Sequence, residues 1–390
     1  MNDMEHYRQQ IEDISSKGLT RTLNAVELHD NGYCNYKGRR LLNLSSNDYL
    51  GLATNDQLKQ EFHMLLGNHP EWLQFGASSS RLLTGNTALY EETEACLKSN
   101  YNSQAALFFN SGYHANIGIL PALSDKKDLI VADKLCHASL IDGMRLSDAD
   151  FMRYRHCDYQ HVKDILEKKR ALYRHVFIVT ESVFSMDGDE ADLNELAEIK
   201  EAYDAILYVD EAHSVGVKGE KGLGSCEEQK VTDRIDILVG TLGKAYASVG
   251  AFAIFNSTIK QVLINKARTL LFTTALPPIN MAWSKLIIER MAGFSAERKQ
   301  LKALSSQLSA DLVAIEQNVE PSHIVPIMLG DNAVAIQLSE HLMKQGFLVY
   351  PIRPPTVPKN TARLRLSLTA NINSQDLRSL VACLQNALTL

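Results

Sequence analysis

The chain has 390 residues, 45% of them hydrophobic and 22% charged, and its formal net charge is −6. This length and apolar content allow a substantial buried core, and we expect one large and one small domain rather than a single unit. Acidic and basic residues are interspersed and the balance is slightly acidic, which argues against a protein that binds nucleic acid.

The cysteines and the N-terminal residues indicate the cellular compartment in which the protein is expected to work. The six cysteines are scattered and form no C-x-x-C pair, a usage that fits a reducing environment better than a disulfide framework. The segment Met1–Arg8 is polar and charged, unlike a signal peptide, and no uninterrupted apolar run is long enough to span a membrane. We therefore expect a soluble, cytoplasmic protein.

Residues 1–46 are predicted to form an N-terminal arm with a helix and a small β-meander. Apolar residues recur at helical spacing over Met4–Ile14, and three short extended runs follow at Ala25–His29, Tyr33–Tyr36 and Arg40–Leu44. Asn31-Gly32 separates the first two runs and is a strong hairpin signal, while Lys37-Gly38 separates the next two.

Residues 47–285 are predicted to form the large domain, in which helices and strands alternate. Strands separated by helices of ordinary length indicate an α/β fold with a mostly parallel central sheet and helices on both faces. The predicted strands are Ala105–Phe109, Leu129–Ala132, Val176–Thr180, Ala205–Val209, Ile235–Val239 and Val249–Phe255. The predicted helices are 87–100, His114–Leu123, Leu140–Ser147, Val162–Leu172 and Leu193–Tyr203.

Residues 286–390 are predicted to form a smaller α+β domain. A long helical stretch over about Ile279–Glu316 leads into it after Pro277-Pro278. The later predicted elements are the strand Ile324–Leu329, the helix Ala333–Gln345, the strands Leu348–Tyr350 and Arg363–Ser367, and the helix Gln375–Ala387.

Lys244 is the most informative residue of the chain. It lies between two apolar segments that are predicted as buried strands, Ile235–Val239 and Val249–Phe255. Burial disfavours the charged form of an ammonium group, and a neutral lysine amine is a nucleophile suited to Schiff-base chemistry. The alternative is a lysine that lays its stem along apolar surface and keeps its ammonium group in water.

The segment Asn110–His114 follows a predicted buried strand and opens a predicted helix. Free backbone N–H groups at the start of a helix form a natural phosphate site, and Gly112 lets a ligand approach closely. The alternative is an ordinary glycine in a strand-to-helix turn.

Asp210-Glu211-Ala212-His213 lies at the carboxyl end of a predicted strand, the edge at which ligands bind in open α/β sheets. The same four letters occur in helicases, but an ATPase also needs a G-x-x-x-x-G-K-[ST] loop. Gly240–Ala245 has the wrong spacing and position for this loop and lacks its final hydroxyl, which excludes the ATPase. A buried carboxylate at Asp210 suits a partner that must stay protonated, such as a pyridinium nitrogen.

Histidines and cysteines suggest two further chemistries. Cys136-His137 follows the strand Leu129–Ala132 and could supply a cysteine nucleophile, but we favour His137 as a ring that stacks on a flat cofactor. His156-Cys157-Asp158 with His161 has the residue types of a metal site, yet a surface strand-to-helix junction explains it as well, and we expect no metal.

One hypothesis accounts for the separate sites together. A phosphate at Gly112, a flat ring against His137, a ring nitrogen at Asp210 and an aldehyde on Lys244 describe pyridoxal 5′-phosphate. A single glycine turn is weak support for this cofactor, whereas four residues in this order, in a sheet of the right class, are strong support.

Several motifs resemble those of a known family, the α-oxoamine synthases among the fold-type-I pyridoxal-phosphate enzymes. These motifs are Asn43–Leu52, Gly76–Gly85, Glu181–Gly188, Asp210–Gly216 and Thr241–Lys244. The similarity extends over nearly the whole chain, and one departure is Ser78-Ser79, where the family usually has glycines. The resemblance implies a homodimer whose active sites are shared between subunits.

The resemblance also implies a role for each matching residue. Lys244 would carry the cofactor as a Schiff base, Asp210 would pair with the pyridinium nitrogen, and His137 would stack on the ring and act as a hydrogen-bond donor. The remaining cofactor contacts would come from Gly112, Tyr113, Ser185, Ala212, His213, Thr241 and, from a second subunit, Thr273 or Thr274. The substrate would contact Arg21, Asn47, His137, Arg353 and Thr356, with Arg353 pairing with the amino-acid carboxylate.

Further segments narrow the implied substrates. Ser46–Tyr49, Ser80–Gly85, Arg353–Pro358 and Thr361–Arg365 are similar to family members that condense L-alanine with a pimeloyl thioester, carried by coenzyme A or an acyl carrier protein. The alternatives are a sister synthase that joins glycine to acetyl-CoA and a non-catalytic subunit with the same fold. Subunits of the latter kind generally lack the lysine found at position 244.

Overall fold

A computed structural model describes residues 4–388 of the chain, which fall into two compact units. The small unit contains the residues up to Thr54, the segment Met186–Gly188 and the residues from Lys299 onward. The large unit contains Asn55–Ser185 and Asp189–Arg298. The predicted boundaries at 46/47 and 285/286 therefore differ from this division, in which the N-terminal arm and the C-terminal segment belong to the same unit.

The helices and strands follow one another in alternation through the middle of the chain. The helices are α1 (Glu5–Ser16), α2 (Asp56–Asn68), α3 (Ala88–Asn100), α4 (Gly112–Leu123), α5 (Ala138–Leu146), α6 (Tyr159–Lys169), α7 (Leu193–Ala202), α8 (Ser225–Glu228), α9 (Ser257–Lys266), α10 (Arg268–Leu271), α11 (Pro278–Arg290), α12 (Ser295–Val313), α13 (Asn332–Lys344) and α14 (Ser374–Leu388). The strands are β1 (Val26–Leu28), β2 (Tyr33–Tyr36), β3 (Arg39–Asn43), β4 (Ala105–Phe109), β5 (Leu129–Asp133), β6 (Asp150–Tyr154), β7 (Val176–Glu181), β8 (Ile206–Asp210), β9 (Ile237–Thr241), β10 (Ala251–Phe255), β11 (Ile324–Gly330), β12 (Phe347–Leu348), β13 (Pro351–Ile352) and β14 (Ala362–Ser367).

The large unit is built on a seven-stranded sheet with the order β4-β10-β9-β8-β7-β5-β6. Strand β10 is antiparallel to both of its neighbours, and the pairs from β9 to β6 are all parallel. Every residue of β4, β5, β7, β9 and β10 is buried, as expected for strands covered on both faces. The predicted α/β fold with a mostly parallel sheet is confirmed.

The strand directions bring five chain segments to one edge of this sheet. Strands β5, β7, β8 and β9 are parallel, and β4 runs in the same direction because β10 is antiparallel to both β4 and β9. The carboxyl ends of these strands are Phe109, Asp133, Glu181, Asp210 and Thr241. Ligands of open α/β sheets bind outside this edge.

The small unit contains two further sheets, with the orders β1-β2-β3-β12 and β11-β14-β13. Lys37 and Gly38 join β2 to β3 with φ angles of 49° and 73°, the left-handed pair that a type I′ hairpin turn requires. Strand β3 pairs in parallel with β12 near the other end of the chain. The arm is therefore part of a sheet that the C-terminal segment completes.

Some elements differ from the prediction. Strand β6 was not predicted, because four of its five residues are exposed and no apolar run marks it. The long helix over 279–316 is divided into α11 and α12 by the short turn Met291–Gly293. The predicted strand Leu348–Tyr350 is replaced by β12 and β13, which lie in different sheets; β13 begins at a proline, which suits its position at a sheet edge.

Two further observations hold for the described residues 4–388. None of their helices combines the length and the apolar character needed to cross a bilayer. All six cysteines have free thiols.

Helix α5 lies unusually close to α4 because of Gly143. A Cβ atom added to Gly143 would lie 2.5 Å from the backbone oxygen of Asn116 in α4, a distance that real Cβ atoms do not reach. A glycine is therefore required at position 143 for the two helices to keep their spacing.

The variant Gly143→Ala is expected to push α5 away from α4 and to lower the free energy of unfolding by about 1–3 kcal/mol, the usual cost of overpacking. Gly67→Ala in α2 is the control, because no atom lies within 4 Å of its added methyl group. The control should stabilise the protein by up to about 1 kcal/mol, since alanine is the better helix former. Urea denaturation compares the two, and equal stability would contradict the close packing.

Candidate active site

The turn after β4 is arranged to bind an anion. Ser111 caps α4 by accepting a hydrogen bond from the His114 N–H at 3.1 Å. The amides of Gly112 and Tyr113 are the first two of the helix and have no carbonyl in a preceding turn to bond. A Cβ atom on Gly112 would lie 3.7 Å from Thr241 Oγ1, so a side chain would fill the space between the helix start and this hydroxyl. The glycine leaves that space for a phosphate group.

Asp210 lies at the end of β8 and is only 5% exposed. Its Oδ2 accepts a hydrogen bond from Asn116 Nδ2 at 2.7 Å, and its Oδ1 accepts one from the Ala212 N–H at 2.9 Å. Two donors on different oxygens fix the plane of the carboxylate at the edge of the sheet.

His137 directly precedes α5, beyond the end of β5. Burial lowers the pKa of its imidazole; the carboxylate of Asp210 opposes this effect, and the positive charge of Lys244 adds to it. The net effect lowers the pKa of the His137 imidazole and favours its neutral form, although the residue is exposed to solvent. His137 therefore lies within electrostatic range of both Asp210 and Lys244.

Lys244 lies in the connection between β9 and β10. All residues of these two strands are buried, as predicted. The side chain itself is half-buried. The Ala247 N–H donates to the Lys244 carbonyl at 2.8 Å, and the Ser248 N–H donates to the Leu242 carbonyl at 2.9 Å. These bonds form a tight loop that projects the lysine from the carboxyl edge of the sheet.

Glu181 is a site residue to which the sequence analysis gave no role. It ends β7, is 2% exposed and accepts a hydrogen bond from the His137 N–H. Burial and the neighbouring charge of Asp210 raise the pKa of its carboxyl group well above the ordinary range, although Lys244 acts in the opposite direction. The signal for it was an acidic residue at the end of an otherwise uncharged strand, inside the motif Glu181–Gly188.

The other predicted cofactor residues lie near the ends of the same strands. Ser185 and His213 are buried in the segments after β7 and β8, and Ala212 is half-buried beside His213. The Tyr113 hydroxyl donates to Asp142 in α5, so the side chain of Tyr113 is engaged there. Its predicted contact with the phosphate uses the backbone N–H and not the hydroxyl. Their contacts with the cofactor stay predictions.

Thr273 and Thr274 were predicted to reach the phosphate of a second subunit. Within its own chain, Thr274 accepts a hydrogen bond through its carbonyl from Asn110 Nδ2 at 2.7 Å and bridges to Ser80. The side chain of Thr274 is exposed, and that of Thr273 is half-buried. Thr274 thus lies beside the phosphate turn of its own chain, and the role of either hydroxyl across a subunit boundary stays a prediction.

Three of the predicted substrate residues lie together in the small unit. Arg21 donates to the hydroxyl of Thr356 at 3.3 Å, and Arg353 donates to the carbonyls of Gly18 and Thr20. Burial and the neighbouring charge of Arg21 lower the pKa of the Arg353 guanidinium. Among residues 4–388, no carboxylate lies within ion-pair distance of either arginine, so the pair is suited to bind an added anion.

Asn47 belongs to a different cluster of the small unit. Its Oδ1 accepts hydrogen bonds from the Tyr49 hydroxyl and from Arg365, each at 3.1 Å. These bonds fix its orientation and leave its amide nitrogen to face other groups.

The cysteine nucleophile weighed for Cys136 is not favoured by its surroundings. Burial raises the pKa of the Cys136 thiol well above its ordinary value, and the charges of Glu181 and Asp133 raise it further. The thiolate is the reactive form of cysteine, so this side chain is inert.

His156 lies between two carboxylates instead of standing at a plain surface junction. Its Nδ1 bonds to Asp133 at 2.9 Å and its Nε2 bonds to Asp189. Asp133, His156 and Cys157 are close enough to share a metal ion, but both ring nitrogens already bond to carboxylates. Burial lowers the pKa of His156, and the hydrogen bonds to Asp133 and Asp189 outweigh burial and raise it to about 12. The arrangement holds an imidazolium cation.

A comparison with protein families defines the class. Residues 39–384 match the family described as aminotransferase class I and II, and the chain belongs to this family. Similar individual proteins carry names that are more specific than that of the family. A protein of Neisseria gonorrhoeae, provisionally named 8-amino-7-oxononanoate synthase, is 49% identical over 385 residues, which cover 98% of this chain and 100% of the relative. A Haemophilus influenzae protein with the same provisional name is 50% identical over 379 residues, or 96% and 98% of the two chains.

Solved structures show the same fold. Serine palmitoyltransferase from S. paucimobilis, with a bound aldimine of pyridoxal phosphate and myriocin, superimposes with a TM-score of 0.90 at 27% identity, covering 99% of this chain and 98% of that one. An 8-amino-7-oxononanoate synthase from Francisella tularensis gives a TM-score of 0.76 at 29% identity and covers 90% and 98%.

These similarities give the fold type and the cofactor. The fold is that of the fold-type-I pyridoxal-phosphate transferases, the cofactor is pyridoxal 5′-phosphate, and the protein is an acyltransferase that depends on it. The residues present fit this group. The helix start at Gly112 suits its phosphate, the buried carboxylate of Asp210 suits its ring nitrogen, and Lys244 supplies an amine at the same edge.

The variant His156→Gln tests the paired cation, whose side chain is half-buried. The folded pKa of about 12 lies above the ordinary value of 6.5, so the stabilisation is complete below about pH 6.5 and is lost as the pH rises toward 12. His156→Gln should lower the free energy of unfolding at pH 6 by about 3 kcal/mol or more, because Asp133 stays buried without its cation. The difference from the wild type should shrink steadily up to pH 10.

His175→Gln is the matched control for this measurement. His175 is half-exposed, and its partner Asp128 also pairs with Arg174. The control should cost less than about 1 kcal/mol at any of these pH values. If His156→Gln and His175→Gln cost the same at pH 6, the imidazolium paired with Asp133 and Asp189 would be disproved.

Proposed function

We propose that the protein condenses L-alanine with a pimeloyl thioester to form 8-amino-7-oxononanoate, with release of CO2 and the free carrier thiol, in biotin biosynthesis. The observation that carries this proposal is identity of 49% to a relative of that name along 98% of the chain. The similarity to serine palmitoyltransferase, at 27% identity, supports the reaction class and is much weaker for the substrate.

The large unit supplies the residues that hold the cofactor. The amides of Gly112 and Tyr113 and the hydroxyl of Thr241 bind the phosphate, and Thr273 or Thr274 of a second subunit adds a hydroxyl. Ser185 and His213 contact polar atoms of the ring, and His137 and Ala212 pack on its two faces. Support comes from the position of the residues other than Thr273 and Thr274 at the carboxyl edge of the sheet, at or beyond the ends of β4, β5, β7, β8 and β9.

The same edge supplies the acid–base groups. When bound, pyridoxal phosphate supplies an aldehyde that attaches amino groups and a ring that takes up the electrons left at the amino-acid Cα. Lys244 Nζ would hold the cofactor between turnovers and, as a free amine, would take the proton from Cα of the bound L-alanine. Asp210 keeps the ring nitrogen protonated, since a carboxylate at this buried position favours a cationic partner. His137 donates a hydrogen bond from Nε2 during loss of CO2.

The small unit supplies the substrate residues. Arg353 pairs with the carboxylate of L-alanine, with Arg21 and Thr356 beside it and Asn47 near the amino acid. The two arginines have no acidic partner among residues 4–388, and the Nε atom of Arg353 is buried without a hydrogen bond. A carboxylate would satisfy both needs.

We further propose that the protein is a homodimer. Four large apolar side chains of the large unit are highly exposed: Phe75 at 76%, Leu82 at 60%, Leu83 at 76% and Phe272 at 71%. The segments that carry them are neighbours, because the Ala275 N–H donates to the Ser79 carbonyl at 2.9 Å. Grouped apolar side chains of this kind mark an interface, and a second subunit would cover them.

The substrate assignment is tested by a product assay of the purified protein. L-Alanine with pimeloyl-CoA or with pimeloyl-acyl carrier protein should give 8-amino-7-oxononanoate, identified by mass spectrometry. Glycine with acetyl-CoA and L-serine with palmitoyl-CoA are the controls, and kcat/KM for each should be lower by at least about 100-fold. The acetyl chain lacks several methylene contacts, and the palmitoyl chain is too long for a site that fits a pimeloyl chain. A higher value for glycine with acetyl-CoA would establish the sister synthase instead.

The role of Lys244 is tested by Lys244→Ala. The purified wild type should be yellow and, after reduction with borohydride, should carry the cofactor mass on the peptide that contains Lys244. Lys244→Ala should lose both the covalent mass and turnover, since no other amine replaces the nucleophile. Lys285→Ala is the control, because Lys285 is also poorly exposed but pairs with Glu289 and Glu92. Turnover by Lys244→Ala at the wild-type rate would refute the mechanism.

A further inference from the structure

A buried chain of polar side chains lies behind His137, and the proposed reaction does not use it. Asn116 in α4 and Ser139 in α5 are each 1% exposed, and Tyr208 in β8 is fully buried. Polar groups in such surroundings are costly unless each finds a partner. Tyr208, Asn116 and Ser139, here named the relay, link His137 to Asp210 through hydrogen bonds that have a defined direction.

The orientation of Asn116 is fixed by its three partners. Its Oδ1 accepts from the Tyr208 hydroxyl at 2.6 Å. Its Nδ2 donates one hydrogen to Asp210 Oδ2 at 2.7 Å and the other to Ser139 Oγ at 2.9 Å. The flipped amide would turn its oxygen toward the carboxylate of Asp210, which an ionised acid does not tolerate. The charge on Asp210 therefore selects the orientation of Asn116.

The orientation of Asn116 in turn sets the hydrogen of Ser139. Because Ser139 Oγ accepts from Asn116, its own hydrogen is available for His137 Nδ1, which lies 2.8 Å away. The backbone N–H of Ser139, which can only donate, also points at Nδ1 from 3.2 Å. A nitrogen that accepts from two donors carries no proton, so a neutral His137 has its hydrogen on Nε2.

The charged groups around His137 allow this neutral form. Asp210 at the end of β8 and Asp142 in α5 raise the pKa of the imidazole, whereas burial, the largest effect, and the charge of Lys244 lower it. Glu181 at the end of β7 bonds to the backbone N–H of His137 and not to the ring.

We propose that Asn116 and Ser139 are positioning residues for His137, which hold its ring as the Nε2–H tautomer through hydrogen bonds that begin at the carboxylate of Asp210. The hydroxyl of Ser139 thus adds to a preference for the Nε2–H tautomer that the backbone N–H of Ser139 already supports. Only the use of the Nε2 hydrogen in turnover rests on the proposed function.

The tautomer can be measured directly on the full-length protein with pyridoxal phosphate bound and no substrate present. Multiple-bond ¹H–¹⁵N spectra of protein with ¹⁵N-labelled histidine show which ring nitrogen carries hydrogen, and the spectrum of His137→Gln identifies the signals of His137. In the wild type at pH 7, Nε2 should be protonated and Nδ1 bare. A protonated Nδ1 in the wild type would overturn the proposal without any further variant.

Variants test whether the relay causes this preference. In Ser139→Ala the ratio of the Nε2–H to the Nδ1–H tautomer should fall about threefold to tenfold, the value of one neutral hydrogen bond, because the backbone N–H remains. Asn116→Ala should shift the ratio in the same direction, and the pH at which His137 binds a second proton should rise in both. Ser139→Thr keeps the hydroxyl and should restore the wild-type spectrum.

Ser124→Ala is the matched control. Ser124 Oγ bonds to Ser147 Oγ at 2.8 Å, beyond the far ends of the same two helices, so its loss removes a similar bond away from His137. The control should leave the tautomer ratio unchanged, and equal spectra for Ser139→Ala and Ser124→Ala would overturn the proposal. Since the measurement needs no substrate, failure to convert L-alanine would refute the proposed function and leave this result standing.

Discussion

Four buried carboxyl groups at one edge of the central sheet determine much of the arrangement around them. Asp133, Glu181, Asp210 and Glu211 lie at or next to the ends of β5, β7 and β8, and none is more than 5% exposed. A buried charge without partners costs several kcal/mol, so each group must be hydrogen-bonded, paired or neutral. The loops beyond the strands are therefore shaped by the need to satisfy acids as well as by the cofactor.

The four acids are satisfied in different ways. Asp133 pairs with the imidazolium of His156, while Glu211 accepts from Ser182 and from the amides at the start of α8. Glu181 has a raised pKa and tends toward the neutral form. Asp210 accepts bonds from one side-chain amide and one backbone amide, which orient it without consuming its ability to pair with a cationic ring. Similar residues thus serve structure or chemistry according to what surrounds them.

The sequence allowed the central sheet and most of its edge to be predicted, because buried strands leave continuous apolar runs and functional residues follow their ends. Lys244 was found because its flanking strands, β9 and β10, are wholly buried. Strand β6 left no such run, since most of its side chains face solvent.

The relay residues could not be assigned from spacing, for a different reason. Asn116 is a polar residue within an otherwise apolar part of α4, which indicates a buried partner but not which one. Its partners come from β8 and α5, and the approach of α5 depends on the missing side chain of Gly143. Contacts between elements distant in sequence have no local period, so only the folded chain reveals them.

The loop that carries Lys244 is braced at several points. Ala247 has a φ of 45°, a left-handed conformation that an L-residue adopts only at some cost, and its carbonyl accepts from the indole of Trp283 at 2.9 Å. Ser248 is bonded to Ser284 of the same helix, α11. Because it is held in this way, the backbone of this loop contributes little to any movement of the Lys244 amine. Any movement of the amine must therefore come from rotation about the bonds of its flexible four-carbon stem, so the length of the lysine side chain sets how far the amine can reach.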